Sequence, residues 1–530
     1  MLLALAGCGG GGTGGGSVTG HGASIRANVD WPWFGGSQTG TRATALTDIA
    51  PSNVRRLGLA WSRSIGEHAA LWESYPIVRG GLMYVTTNAG QVLALDPVNG
   101  RTRWTYTPVV PLVGGADGGP PINRGVTVAG GLVFAVTTDD RLLALDARTG
   151  RLRWRRRVAE PSTGATQNSP PAYWRGRVIV GSAGADVGVR GFVAAYAART
   201  GEELWRFDTV PPPGVGWMPA GTRGGGGHVW MPPTVDPTTG TVYAGTGNPS
   251  PSIVPSRTGC ARWTDATIAL DARTGRLRWG HSEQCGDVVD SDSGQPPVVF
   301  DAHRGGRTVR TVGHANKDGT YWLLDAATGR VAAKSRALVP QTQPRPTGRD
   351  VARGVRVCPG ALGGIAYSPA AVTGSTIFQP AVVQCMTYRT TADARRRGPG
   401  SVVGLGGGLA QPDAKETARG VLVALDAATG AVRWRRPTRA PLVGGALATT
   451  TGLVFSGSDD GNLYAFDAAT GHPRWAGHVG LAFGSAPITY RAGGVQYLAV
   501  AAGGSSLAQL TGAPVGARLV VLRLGGRPLS

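Results

Sequence analysis

Seven copies of one short unit organise this 530-residue chain, and they limit its fold more than any other feature. VLALDPVNGRTRW ends at Trp104, LLALDARTGRLRW at Trp154, VAAYAARTGEELW at Trp205 and TIALDARTGRLRW at Trp279. YWLLDAATGRVAA follows at 321 to 333, then LVALDAATGAVRW ending at Trp434 and LYAFDAATGHPRW ending at Trp475. Before most copies stands another short apolar strand, such as GGLMYVTT from 80 or GGLVFAVTT from 130. Each copy reads as a small antiparallel meander: Gly meets the positive-φ requirement of a tight turn, and Asp is available to bond the turn backbone. A single such sheet cannot bury its faces. Radial stacking of several can, so a closed propeller is expected.

The unit ends lie about 50 residues apart at first and then 74, 54 and 101, so long loops or an unmarked blade fill the excess. The interval from 333 to 434 is expected to hide one blade, built on GGIAYSPAAV and STIFQPAVV, which brings the count to eight once the first N-terminal strands close against the last segment. Composition agrees with strands and turns. Gly (85) and Pro (37), the two poorest helix formers, make up about 23% of the chain, and charged residues only 16%. The division expected is a Gly-rich leader over 1–29 and an all-β, eight-bladed propeller over 30–530.

The formal charge is +21. The arginines, however, are single members of turns such as DARTGRLRW, not a basic tail or a reader helix, so nucleic-acid binding is not expected. The opening MLLALAGCGGGGTGGGS contains Leu5-Ala6-Gly7-Cys8, which resembles a bacterial lipobox and would make Cys8 a lipid tether. The missing basic n-region leaves two readings: a start further upstream or an accidental match. Cys260, Cys285, Cys358 and Cys385 form two sequence-local pairs, which suits loop-stapling disulfides in an oxidising compartment, with four buried thiols as the alternative. No CxxCH occurs, so covalent haem is not indicated.

The Asp-Ala-x-Thr-Gly-x-x-x-Trp unit resembles the tryptophan-docking motif of the pyrroloquinoline quinone (PQQ)-dependent dehydrogenases, eight-bladed periplasmic quinoproteins acting on alcohols. The opening DWPWFGGSQTGTRATALTDIAPSNVRRLGLAW resembles that family's entry segment, and the likeness runs from about residue 30 to 520. Related propellers, including outer-membrane assembly lipoproteins, share such repeats without binding a cofactor, so the loops decide.

GSAGADVGVRGFVAAYAARTGEELWRF resembles the segment that supplies an acidic metal ligand, here Asp186 where Glu is usual. GTGNPSP resembles the segment supplying an asparagine oxygen, which implies Asn248, and CGDVVDSDSG the acidic loop with the catalytic aspartate, which implies Asp290. Asp292, two residues on, is an acid that lanthanide-type members carry and calcium-type members tend to lack. Hard oxygen ligands of this kind suit calcium or a lanthanide ion. The same resemblance implies Glu73, Arg124, Trp230 and Lys317 as contacts of the quinone: Arg124 as donor to its oxygens, Trp230 as the floor under its ring, and Lys317 near the reactive carbonyls. Taken singly, the acidic loop reads equally as a polar loop, Glu73 as a surface acid and Trp230 as a core aromatic.

Three departures from the family stand out. Gly119-Pro120 replaces an adjacent cysteine pair, Val443 replaces a Trp, and Asp186 is one methylene shorter than Glu. The resemblance also implies a Cys358–Cys385 disulfide. A Cys260–Cys285 bond has no such template; if formed it would clamp the acidic loop before Asp287, a loop residue or a partner of the ligands. The expected function is an exported dehydrogenase oxidising an alcohol or related hydroxyl compound and passing electrons to a separate cytochrome c or other acceptor. The competing reading is a non-catalytic envelope propeller that scaffolds other proteins.

Overall fold

A computed structural model describes residues 28–65, 71–109, 121–160, 163–184, 188–217, 225–250, 259–389, 410–413 and 416–529. Cys8, Gly119-Pro120 and Asp186 lie outside them. Eight principal antiparallel sheets follow one another along the described chain as the blades of a propeller. Blade 2 is representative, with strands Thr127–Ala129, Leu132–Val136, Arg141–Asp146 and Leu152–Arg157 paired in chain order. First strands of neighbouring blades touch, for example Ala172–Trp174 against both Thr127–Ala129 and Thr234–Asp236, so first strands face the central axis. Blade 8 closes the ring by joining the two ends of the chain: Leu57–Ser64 pairs antiparallel with Arg518–Leu524 as its fourth strand.

The repeated unit is the second half of a blade, namely its third strand, a turn and its fourth strand. Asp146 shows why Asp is used, since its Oδ1 accepts hydrogen bonds from Thr149 N and Thr149 Oγ1, both at 2.9 Å, and Arg153 closes on Oδ2 at 2.7 Å. Trp shows how blades are joined. The Trp205 indole donates to Ala272 O of the next blade at 3.1 Å, and Trp279 donates to Ala326 O at 3.1 Å. The facing turn glycine is obligatory twice over. Gly275 has φ 72°, and a Cβ there would lie 2.6 Å from the Trp205 ring. Trp61 makes the same contact across the closure, resting on Gly100 of blade 1.

One expectation is corrected. GGIAYSPAAV and STIFQPAVV do not form a blade of their own. Their strands, Ala371–Thr373 and Thr376–Val383, are the first two of blade 6, paired on to Arg419–Asp426 and Val432–Thr438, which carry the sixth unit. The eighth blade is the closing one. The unit marks only the last two strands of a blade, so a long insertion between strands two and three looked like a missing repeat. Within that interval lie a three-stranded side sheet of Val355–Val357, Met386–Tyr388 and Ala410–Pro412 and the short helix Gly348–Arg353.

Candidate active site

In a four-stranded meander the links between strands two and three emerge at the same end as the links between blades, and the first and third turns emerge at the other. Every described residue expected to act sits at the first of these ends. Asn248 and Lys317 lie in links between the second and third strands of blades 4 and 5. Glu73, Arg124, Trp230 and the 283–297 loop lie in links from one blade to the next. The ring of blades therefore gathers residues more than 200 positions apart.

The acidic loop is folded by its own side chains. Asp287 Oδ1 accepts from Val289 N at 3.1 Å and Ser291 Oγ at 2.7 Å, while its Oδ2 accepts from Ser291 N at 3.0 Å. This turn holds Asp290 at φ 62°, a left-handed conformation unusual for a non-glycine residue. Lys317 then spans two carboxylates, with Nζ 2.9 Å from Asp290 Oδ1 and 2.8 Å from Asp292 Oδ2. Burial alone would depress the Lys317 pKa, but Asp290 and Asp292 overcome it and hold the ammonium above its ordinary value. Asn248 N donates to Asp292 Oδ1 at 2.6 Å, and its amide nitrogen donates to Pro249 O at 3.2 Å. Gly247 permits that approach, because a Cβ there would lie 2.6 Å from Asp292 Oδ1.

A second cluster adjoins the first. Arg124 Nη2 lies 2.6 Å from Glu73 Oε2, both side chains being almost fully buried. Tyr367 donates to Glu73 Oε1 at 3.2 Å. Burial pushes the Glu73 carboxyl up, while Arg124 and Tyr367 pull it down, leaving it above its ordinary value. The Arg124 guanidinium lies 5.2 Å from the Trp230 ring and 5.3 Å from that of Tyr367, and the two rings meet edge to face at 6.0 Å. Trp230 joins the clusters, since its indole lies over Gly294 of the acidic loop, where a Cβ would collide with it.

The structure thus brings Asn248, Asp290, Asp292 and Lys317 together, and Glu73, Arg124 and Trp230 beside them. Among the described residues no group of three or more His, Cys, Asp or Glu side chains is placed to hold a metal ion. Val443 is buried in the apolar cluster that also contains Tyr367 and packs against Trp230. Both disulfides are formed, Cys260–Cys285 and Cys358–Cys385. Asp287 acts within its own loop. Two residues escaped the sequence reading. Tyr367 lies in a segment read only as strand, and His228 is buried near Asp292 with neither ring nitrogen hydrogen-bonded among the described residues. Burial, opposed by Asp292, lowers the His228 pKa to about 3, so its imidazole is neutral.

The donor set fits a flat polyanionic quinone. Among the described residues, Arg124 Nε and Nη1 are buried without hydrogen-bond partners, beside the half-buried Trp230 indole. Unspent guanidinium donors next to an aromatic surface suit a planar ligand rich in carboxylate and carbonyl oxygens.

The family model for the glucose/ethanol/alcohol dehydrogenase β-propeller domain matches residues 31–347, more than half of the chain. The chain is 33% identical to the quinohemoprotein alcohol dehydrogenase of Comamonas testosteroni over 527 residues, covering 90% of this chain and 74% of the relative. It is 30% identical to lupanine 17-hydroxylase (cytochrome c) of Pseudomonas sp over 551 residues, covering 94% and 78%. Among solved structures, the Comamonas testosteroni enzyme superposes with TM-score 0.83 at 29% identity, covering 95% of this chain and 82% of that one. A europium-containing methanol dehydrogenase superposes with TM-score 0.82 at 27% identity, covering 94% and 98%. A model for the outer membrane protein assembly factor BamB matches residues 418–515, and BamB of Moraxella catarrhalis, at 15% identity and TM-score 0.51, shares the fold alone.

A closed eight-bladed ring with a basic, aromatic and acidic site at one end defines a quinoprotein-type oxidoreductase. The chain belongs to the PQQ-dependent quinoprotein alcohol dehydrogenase family.

Proposed function

We propose that this protein oxidises an alcohol or related hydroxyl compound, with Asp290 as the base. The observation that carries the assignment is the Asp290–Lys317–Asp292 bridge beside the Glu73–Arg124–Trp230 cluster. When bound, PQQ with a calcium or lanthanide ion supplies the Lewis-acid-assisted acceptor for the hydride of the carbinol carbon. Glu73, Arg124 and Trp230 hold and orient that cofactor, and Asp186, Asn248, Asp290 and Asp292 form the oxygen set for the cation. Asp290 removes the hydroxyl proton as the carbon gives up its hydride, so the substrate leaves as a carbonyl compound, two electrons and two protons poorer than the alcohol: the hydride carries both electrons and one proton, and Asp290 takes the other proton. Lys317 offsets negative charge that accumulates near the base. Val443 in place of an aromatic leaves the adjoining wall small and apolar.

The two disulfides support a location outside the cytoplasm, in the periplasm or cell envelope, with Cys8 as a membrane tether. Electrons then pass to a separate acceptor, cytochrome c being the class named for one relative. Purified protein reconstituted with PQQ and either calcium or a light lanthanide is expected to gain a quinone absorbance and dye-linked alcohol oxidation. A chain that binds no chromophore under either condition would instead be a scaffolding propeller.

A further inference from the structure

Next to the acidic loop lies a buried carboxylate–imidazole pair that the chemistry above does not use. Glu283 and His314 are completely buried, with Oε1 and Nδ1 2.6 Å apart. His314 Nε2 lies 2.8 Å from Gln295 O. A carbonyl can only accept, so Nε2 carries a proton and the imidazole orientation is fixed. Both Glu283 oxygens are engaged: Thr267 Oγ1 donates to Oε1 at 2.5 Å and Ser293 Oγ to Oε2 at 2.8 Å. A Cβ on Gly245 would lie 2.5 Å from His314 Nε2, so the neighbouring strand leaves the ring no room to turn.

The attachment points give the pair its meaning. Ser293 follows Asp292 directly, and Gln295 lies just beyond Gly294, on which Trp230 rests. His314 stands near the end of Arg307–Ala315, the strand that leads into Lys317. Lys317 N in turn donates to Ser291 O and Asp292 O, both at 3.1 Å. One buried pair is therefore tied to the loop bearing Asp290 and Asp292 and to the strand that leads into Lys317. Burying a carboxylate against a polar ring stabilises a fold weakly at best, because desolvation consumes most of the attraction. Its geometric rigidity is what distinguishes it from an apolar filling of equal volume.

We propose that Glu283 and His314 are positioning residues that hold Asp290 and Lys317 in register, acting through Ser293 and Gln295. The proposal rests on Asp290 being the base. A displacement of the order of an ångström between base and substrate lowers turnover by roughly 10²-fold without weakening binding equally. Glu283→Gln and His314→Leu in the full chain, loaded with PQQ and calcium, are expected to lose about 10²-fold in kcat. KM and PQQ affinity, the latter read by quenching of tryptophan fluorescence, should change much less. Deuterium uptake by the 286–296 peptide should rise. His314→Gln keeps an amide donor towards Gln295 O and should recover most of the loss. Ser293→Ala removes one hydrogen bond only and should lower kcat and raise 286–296 exchange by less, which decides the matter if the other variants fail to fold. A lowered melting temperature with unchanged kcat and unchanged 286–296 exchange would overturn the proposal. A wild-type protein inactive on every alcohol would refute the assigned reaction, while the exchange measurement would still test the positioning.

Discussion

The two ends of the propeller solve opposite problems. At one end, the turn between third and fourth strands is built the same way in blade after blade: Asp146, Asp271, Asp426 and Asp467 each accept from the Thr three residues on and pair with the Arg seven residues on. At the other end, the links between second and third strands are put to different uses: those of blades 1, 2 and 7 close with one short turn, in which Thr87 N, Thr137 N and Ser458 N donate to Gln91 O, Arg141 O and Asn462 O, whereas those of blades 4 and 5 present Asn248 and Lys317 and that of blade 6 carries the side-sheet strand Met386–Tyr388. Electrostatics divides in the same way. Arg153 and Thr149 pull the Asp146 carboxyl down to about 2, whereas burial pushes Asp140 up to about 7 and raises Glu73. The repeated end joins blades with one reusable solution. That rigid frame frees the other end to hold buried charge, where perturbed groups do chemistry.

The sharpest break in this comparison is expected at Asp290. Asp290→Asn keeps an oxygen but loses the base, so turnover should fall about 10²–10⁴-fold while cofactor binding and melting temperature change little. Steady-state kinetics beside fluorescence titration of PQQ tests this. Unchanged turnover would remove Asp290 from the mechanism.

The same division explains what the sequence disclosed. The turn end is local: Asp, Thr, Gly and Trp make their contacts within one unit or with the next, so their spacing alone announces a propeller. Blade count was harder, because strands one and two of blade 6 carry no mark and lie far from their partners in the chain. At the site end, residue types in acidic or Gly-rich loops drew attention to Asp290, Asp292, Asn248 and Lys317 by resemblance, and nothing local joins them. Tyr367 and His228 were invisible for that reason. Each gains its role from a neighbour over 60 residues away, Tyr367 from Glu73 and His228 from Asp292. The Glu283–His314 pair likewise has no signature before the blades close.

The turn end should respond in stability, not chemistry. Trp279→Ala empties an indole site between blades 4 and 5 and is expected to cost about 3–5 kcal/mol. Gly329→Ala attacks the same joint from the other side, since its Cβ would strike the Trp279 ring and its φ of 71° disfavours any side chain. Thermal melts of both variants should fall, while PQQ affinity per folded molecule holds. Unchanged melts would detach the repeat from blade docking.

The smallest effect separates the two ends by sign. Asp140, in the site-end link of blade 2, is completely buried, and burial raises its pKa to about 7, eased by Gln167. A carboxyl whose folded pKa exceeds its unfolded value of about 3.9 contributes stability below that value and loses it as pH rises through the folded pKa. Wild-type stability should therefore decline from about pH 4 to 7 on account of this group, and Asp140→Asn, which cannot ionise, should flatten that decline and stabilise the protein at pH 8 by on the order of 1–3 kcal/mol. Asp146 runs the other way. Its folded pKa of about 2 lies below the unfolded value, so its contribution is present above pH ~4 and lost as pH falls towards 2. Because Asp146 sits in a surface turn and its partner Arg153 is 52% exposed, solvent screens most of that gain, and Asp146→Asn should lower the melting temperature slightly at pH 7 and not at all near pH 2. Melting curves of both variants from acid to mildly alkaline pH would show crossing dependences. Shifts of the same sign at Asp140 and Asp146 would mean that burial does not set the charge at the site end, and the electrostatic contrast between the two ends would fall with it.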